Sequence, residues 1–148
     1  MKLTSNDFKH GMKIPKKFGY KFENINPSLI IDDVPKNTKS LVLIMDDPDA
    51  MAAVGKVWSH WILWNISPKT QKIELDSVPI DSKVGINDFG EKNYGGPAPP
   101  DKEHTYFFKL YAISKSLDLP EDTTKSQIED TIKSSILAET NLQGKFSP

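Results

Sequence analysis

The stretch His104–Ile113, with the sequence HTYFFKLYAI, is rich in aromatic residues and predicts a β-strand. Successive side chains of a strand point to opposite faces, so every second residue of this stretch shares a side. One side is apolar but begins with a histidine: His104, Tyr106, Phe108, Leu110 and Ala112. A buried imidazole needs hydrogen-bond partners, because an unpaired polar group in a core is costly. The start of this strand is therefore a candidate site, although a histidine paired only with protein groups is the more common arrangement.

Two stretches upstream also read as strands. Val57–Ile66 (VWSHWILWNI) contains all three tryptophans, and its alternation predicts that His60, Ile62 and Trp64 share one side. Ser40–Met45 (SLVLIM) is mostly apolar, which predicts a strand buried on both faces. Proline and glycine turns separate these stretches. Short strands punctuated by turns predict a mainly β protein, built as an antiparallel sandwich or barrel.

The C-terminal part of the chain has a different pattern. Isoleucines recur at helical spacing, and the pair Ser126 and Glu129 fits a capping box. These signals predict a helix from about Lys125 to Glu139 that packs through its apolar face onto the sheets. With 148 residues the chain has the length of one domain, predicted to span residues 1–148.

The composition excludes several classes of function. The chain has no cysteine, so thiol nucleophiles, disulfides and thiolate metal sites are excluded, and a cytoplasmic location is expected. The net charge of −1 carries no signature of nucleic-acid binding. No apolar run approaches the ~20 residues of a membrane-spanning helix, and the first residues do not resemble a secretory signal. All 19 basic residues are lysines, so an anion site must use lysine, histidine, hydroxyl or backbone N–H groups.

Two turns beside the predicted strands carry further polar and rigid residues. Asp46–Asp49 (DDPD) directly follows the strand Ser40–Met45, and one of its carboxylates could orient a histidine ring and raise its pKa. Asn93–Pro100 (NYGGPAPP) combines glycines, which let the backbone approach a ligand, with prolines, which make the loop rigid. A solvated turn and a stiff surface connection are the purely structural alternatives.

Catalytic arrangements receive little support from the sequence. Asp47, His60 and His104 could together bind zinc or iron, but their spacing matches no metal motif with a known mechanism. Ser59 and His60 are adjacent in a strand and point to opposite faces, so they cannot act as nucleophile and base. No phosphate-binding loop, dinucleotide fingerprint or nucleophile elbow is present. We predict a protein without catalysis, metal or cofactor, and a hydrolase with a histidine general base is kept as an alternative.

Four motifs follow one another along the chain: DPDA at Asp47–Ala50, an HW pair at His60 followed by NI at Asn65, YGGPAPP at Tyr94–Pro100, and HTYFFKLYA at His104–Ala112. Together they resemble the phosphatidylethanolamine-binding protein family, most closely its prokaryotic Raf-kinase-inhibitor-like branch. Further similarity, including GINDFG at Gly85–Gly90, extends almost from end to end. The resemblance implies an antiparallel Greek-key β-sandwich with a few peripheral helices, including a C-terminal one.

The resemblance also implies a small, rigid pocket for phosphate, acetate or phospholipid headgroups. In this arrangement Asp47 would orient His60, while Tyr106 and both imidazoles would donate hydrogen bonds to the anion. The implied function is that of a regulatory or inhibitory binding protein for a small anion or phosphate headgroup. By motif, the ligand-binding residues would be Asp47, His60, Pro99, Pro100, His104 and Tyr106, with Asp49, Met51, Trp58 and Ala98 as neighbours.

Three positions depart from the family pattern. Met51 replaces a proline and is predicted to enlarge its wall of the pocket; Thr105 replaces an arginine, which removes a cation. The turn Asp101–Glu103 loses a glycine and gains charge.

The main alternative function is inhibition of a serine protease or a kinase through surface loops, with Met51–Gly55 as the bait segment. A homodimer is also left open.

Overall fold

The structure, a computed structural model, describes the whole chain from Met1 to Pro148. It contains two α-helices, α1 (Ala50–Val54) and α2 (Lys125–Ile132), and a 3-10 helix at Lys16–Phe18. Neither α-helix has the length and apolar character needed to cross a membrane. The strands are β1 (Lys2–Thr4), β2 (Met12–Lys13), β3 (Leu29–Asp32), β4 (Ser40–Asp47), β5 (Trp58–Ile66), β6 (Lys72–Ile73), β7 (Lys83–Val84), β8 (His104–Ile113) and β9 (Ile136–Phe146).

The strands form two open sheets. The larger sheet has six strands in the order β2-β9-β8-β4-β5-β7, and the smaller has three in the order β1-β3-β6. All neighbouring strands are antiparallel except β2 and β9, which are parallel. The predicted mainly β, antiparallel two-sheet architecture with few helices is therefore confirmed.

Two apolar layers cover the two faces of the large sheet. The inner layer joins residues of β4, β5, β8 and β9 to those of the small sheet, and it includes the predicted face of β8 from Tyr106 to Ala112. The outer layer lies under α2, whose Ile128 and Ile132 pack against β4 and β5. Strand β4 supplies both layers, with Leu43 in the inner one and Ile44 in the outer one. This double burial explains why its sequence does not alternate.

The predicted alternation of β5 is wrong at His60. Ile62 and Trp64 belong to the outer layer under α2. The His60 ring instead lies on the inner side, with its centroid 5.2 Å from that of Tyr106. Regular alternation would place His60, Ile62 and Trp64 on the same face of β5. An irregularity in the strand between His60 and Ile62 is therefore required.

A β-bulge is the interruption. Met45 of β4 pairs with Trp61, but the next residue, Asp46, pairs with Ser59. His60 is therefore an extra residue opposite β4, and two consecutive side chains of β5 turn toward the inner side. The bulge is what brings this imidazole into the same space as the start of β8.

The predicted C-terminal helix is too long. Helix α2 ends at Ile132 instead of Glu139, and a capping box formed by Thr124 and Gln127 begins it. From Ile136 onward the chain forms β9, which pairs with the whole length of β8. This pairing provides hydrogen-bond partners for the backbone groups of β8 that face β9, which a helix would leave unpaired. Tertiary pairing overrides the helical spacing of the isoleucines.

The boundary between α2 and β9 is testable with two leucines of β9. Leu142 is 1% exposed in the inner layer and Leu137 is 45% exposed. We expect Leu142→Ala to lower the free energy of unfolding by about 2–5 kcal/mol, because it leaves a cavity. Leu137→Ala is expected to change it by no more than about 0.5 kcal/mol. Urea denaturation measures both, and equal losses would contradict this assignment of the strand.

Candidate functional site

A cavity of about 210 Å³ lies at one end of the central strands of the six-stranded sheet. Antiparallel pairing brings the end of β4 beside the starts of β5 and β8, with Asp47 opposite Trp58 and Asp46 opposite Phe107. Helix α1 and the loop between β7 and β8 complete the walls. The lining residues are Asp47, Ala50, Ala53, Val54, Trp58, His60, Phe89, Ala98, Pro100, His104 and Tyr106.

Most of the residues proposed from the sequence line this cavity, and three do not. Pro99 lines a separate cavity of about 130 Å³ between the proline-rich loop and Phe146. Asp49 faces β8 from outside, where its Oδ2 accepts a hydrogen bond of 2.8 Å from the backbone N–H of Thr105. Met51 is 52% exposed, so it does not enlarge the pocket wall as predicted. Its helix α1 instead presents Ala53 and Val54 to the cavity.

Phe89 is a wall residue that the sequence reasoning did not assign. Its ring stacks on Tyr20 at 4.0 Å and meets both Trp58 and His60 edge to face at 5.5 Å. Phe89 belongs to the motif GINDFG, and no periodicity in that motif indicates where its aromatic ring points. The sequence also did not predict that α1 lines the cavity, because its small residues carry no pattern typical of a binding site.

His60 is buried and held by the glycine-rich loop. Its Nδ1 donates a hydrogen bond of 2.7 Å to the carbonyl oxygen of Gly95, and the Gly95 N–H donates one of 2.9 Å to the His60 carbonyl. A side chain at Gly95 would collide with the Phe89 ring at 2.6 Å, so this close approach requires glycine. Burial lowers the pKa of His60, against weaker opposing effects of the Gly95 carbonyl and Asp47. The ring is therefore neutral, with its proton on Nδ1 and a lone pair on Nε2.

His104 has the opposite environment, because carboxylates bind both of its ring nitrogens. Nδ1 donates to Asp47 Oδ2 and Nε2 donates to Asp101 Oδ1, each at 2.7 Å. Burial alone would lower the pKa of His104, but the hydrogen bonds to Asp47 and Asp101 outweigh it and the net pKa is raised. The prediction that Asp47 orients His60 is therefore wrong: Asp47 orients His104, and Gly95 orients His60.

Tyr106 brings a hydroxyl without a well-formed hydrogen bond to the cavity. Its side chain is fully buried, and its hydroxyl makes no hydrogen bond of ordinary geometry, although the Asp47 carboxylate and the Ala98 backbone lie near enough to influence its pKa. Burial, reinforced by the charge of Asp47, raises the pKa of Tyr106, so the hydroxyl keeps its proton. The indole N–H of Trp58, another lining residue, also lacks a partner. An unpaired buried polar group costs about 1–3 kcal/mol, which a bound water or ligand can recover.

The chemistry of the cavity follows from these groups. Tyr106 and Trp58 are donors, His60 Nε2 is an acceptor, and His104 is an imidazolium whose two N–H groups are already bound to Asp47 and Asp101. Apart from the Asp47 carboxylate, which holds His104, the remaining lining residues are apolar or proline. No hydroxyl of serine or threonine lines the space, and no group of three or more histidine or acidic side chains is arranged to hold a metal ion. The arrangement suits recognition of a small group that both accepts and donates hydrogen bonds.

Comparison with known proteins identifies relatives over nearly the whole chain. The sequence model of the family described as phosphatidylethanolamine-binding protein matches residues 4–147. A protein of Chlamydia trachomatis named UPF0098 protein is 38% identical over 148 residues, which are 99% of this chain and 98% of that protein. A UPF0098 protein of Aquifex aeolicus is 40% identical over 153 residues, with coverage of 99% and 88%.

Solved structures with the same fold are also described as members or homologues of this family. The crystal structure of CT736 from Chlamydia trachomatis, described as a phosphatidylethanolamine-binding protein homolog, has a TM-score of 0.92 at 36% identity and covers 99% of this chain and 96% of its own. Escherichia coli YbcL, described as a new member of the mammalian family of the same name, has a TM-score of 0.93 at 26% identity, with coverage of 99% and 98%.

The contrast between the two histidines is testable by NMR titration of their ring signals. We expect His60 to gain its second proton below the ordinary pKa of ~6.5 and His104 above it, because one ring is buried without a carboxylate and the other is held by two. The raised folded-state pKa of His104 contributes stability that is fully present below ~6.5 and is lost as the pH rises through that pKa. Coincident titration of both rings would contradict the assigned hydrogen bonds.

Proposed function

The chain belongs to the phosphatidylethanolamine-binding protein family, and on that premise we propose that it is a binding protein for small phosphate-containing anions, with the cavity beside His60 and His104 as its site. The observation that carries this proposal is the buried hydroxyl of Tyr106, which makes no hydrogen bond of ordinary geometry and lies near the His104 imidazolium. A hydroxyl donor and an imidazolium beside one cavity favour an oxyanion as ligand, provided that a carboxylate now bound to His104 is displaced.

A phosphate group matches both kinds of polar atom in the cavity. Its unprotonated oxygens can accept from Tyr106 and Trp58, and from His104 once a nitrogen of that ring is free. Phosphate monoesters titrate near pH 6, so close to neutrality part of the population still carries a P–OH group. That hydroxyl can donate to Nε2 of His60, which the hydrogen bond to Gly95 leaves as an acceptor.

The proposed role is binding without turnover. His104 has both nitrogens engaged and no lone pair to act as a base. A hydrolase would therefore have to use His60 Nε2 to activate a water molecule. Assay of a phosphate monoester separates the two roles, since turnover that His60→Ala abolishes would favour the hydrolase.

The alternative of protease inhibition lacks a comparable observation. The proposed bait segment Met51–Gly55 lies largely in helix α1, and Gly55 ends that helix in a left-handed conformation. Substrate-like inhibitors offer proteases an extended segment that pairs as a strand. A helical turn does not present its backbone in that way, so the cavity is the stronger basis for a function.

The Tyr106 hydroxyl provides the direct test. We expect Tyr106→Phe to weaken binding of inorganic phosphate by roughly fivefold to a hundredfold, the value of about 1–3 kcal/mol for one buried hydrogen bond to an anion. Isothermal titration calorimetry at pH 6.5 measures the change. Tyr111→Phe is the matched control, because Tyr111 lies on the same strand and does not line the cavity.

Stability measurements on Tyr106→Phe separate binding from a structural role. The hydroxyl makes no hydrogen bond of ordinary geometry within the protein, so its removal is expected to leave the free energy of unfolding nearly unchanged or to raise it. Weaker phosphate binding with undiminished stability supports the proposal. Equal phosphate affinity of the wild type and Tyr106→Phe, or no binding by the wild type, overturns it.

A further inference from the structure

The donors of His104 are already taken in the free protein. Asp47 holds Nδ1 and Asp101 holds Nε2, so an incoming anion finds no free N–H on this ring. The two carboxylates differ in their freedom to move. The Asp47 side chain is 4% exposed at the end of β4, whereas that of Asp101 is 42% exposed in the turn before β8. Only the Asp101 carboxylate can leave His104 for water without emptying a buried position.

We propose that Asp101, which does not itself line the cavity, is a specificity-determining residue: a tethered carboxylate that occupies His104 Nε2 and thereby excludes simple carboxylates from that nitrogen while phosphate displaces it. The inference rests on the proposed function and narrows its ligand class to tetrahedral oxyanions that carry a proton.

Competition between Asp101 and a free carboxylate favours Asp101. Acetate offers His104 the same functional group with the same charge, so it gains no stronger hydrogen bond than the one it breaks. Asp101 is only three residues from His104 in the chain, and a tether of that length corresponds to an effective concentration in the millimolar range or above. Acetate at lower concentrations therefore does not displace it.

Phosphate differs from acetate in the number and kind of its contacts. It can accept from His104 Nε2 and from the Tyr106 hydroxyl, and a protonated oxygen can donate to His60 Nε2. A carboxylate has two oxygens and no proton, so it leaves the His60 lone pair unpaired. The additional hydrogen bonds offset the loss of the Asp101 contact, which moves to solvent.

The charges around His104 support the same direction. Asp47 and Asp101 together outnumber the single positive charge of the ring, so the free site repels anions until Asp101 withdraws. The hydrogen bond to His104 also holds the pKa of Asp101 below its ordinary value, although partial burial opposes this. A displaced Asp101 should therefore regain an ordinary carboxyl pKa, which gives the displacement a spectroscopic signature.

The experiment compares inorganic phosphate and sodium acetate as ligands of the wild type, Asp101→Asn, Asp101→Ala and Glu103→Gln at pH 6.5. Glu103→Gln is the matched control: it removes the same charge from the same turn, but Glu103 contacts Ser147 instead of His104. NMR titration of the His104 ring signals reports both affinities. Folding of each variant is checked by its backbone amide spectrum.

We expect the wild type and Glu103→Gln to bind phosphate at least about tenfold more tightly than acetate. In Asp101→Asn and Asp101→Ala, acetate affinity is expected to rise about tenfold, the size of one partly exposed charge-assisted hydrogen bond. The Asp101 carboxyl signal of the wild type should shift toward an ordinary pKa at saturating phosphate. That shift is absent if phosphate binds without displacing the side chain.

The results distinguish a failure of the proposed role of Asp101 from a failure of the proposed phosphate-binding function. Equal acetate affinity in the wild type and both Asp101 variants, or an unshifted Asp101 pKa at saturating phosphate, overturns the role of Asp101 and leaves the phosphate site intact. Failure of all four proteins to bind phosphate overturns the proposed function and, with it, the displacement of Asp101 by phosphate.

Discussion

The register of β4 between β5 and β8 is the constraint on which the site depends. Antiparallel pairing on both sides of β4 brings its last residue, Asp47, to the first residues of two strands that are distant in sequence. The apolar layers on both faces of β4 fix this register, because a slip by one residue would exchange the inner and outer faces. The bulge at His60 then adds the one side chain that regular pairing would have directed toward α2. Core packing thus positions the polar groups at the ends of the central strands.

Local patterns in the sequence were sufficient for the elements that obey a single period. The face of β8 from Tyr106 to Ala112 and the double burial of β4 followed directly from alternation and from its absence. The position of His60 did not follow, because a bulge is a property of a strand pair and is invisible in one strand alone. The end of α2 failed for a related reason. Ile136 continues the helical spacing, but the chain from Ile136 onward forms β9 because it pairs with the otherwise unpaired side of β8.

The composition of the cavity was easier to predict than its hydrogen bonds. The motifs brought Asp47, His60, His104 and Tyr106 into one space, where the structure places them. They did not reveal which histidine Asp47 would orient. That choice depends on the Gly95 carbonyl, which approaches within 2.7 Å of His60 only because a glycine allows the loop to pack against Phe89. Backbone groups carry no sequence signature, so partner assignments of this kind require coordinates.

The polar groups of the cavity differ in how fully they are paired, and this difference determines what can bind. Tyr106 is a donor without a well-formed hydrogen bond and His60 Nε2 an acceptor facing no assigned partner, whereas His104 is a cation with both nitrogens already bound to carboxylates. Phenylalanine in place of Tyr106 would avoid the cost of such a buried hydroxyl, and the proposed ligand would supply the acceptor that the hydroxyl lacks. A purely accepting ligand satisfies Tyr106 but leaves His60 unpaired, and a purely donating ligand does the reverse. Under the proposed function, a partly protonated phosphate combines both properties, so it would pair both residues and offer His104 a replacement for Asp101.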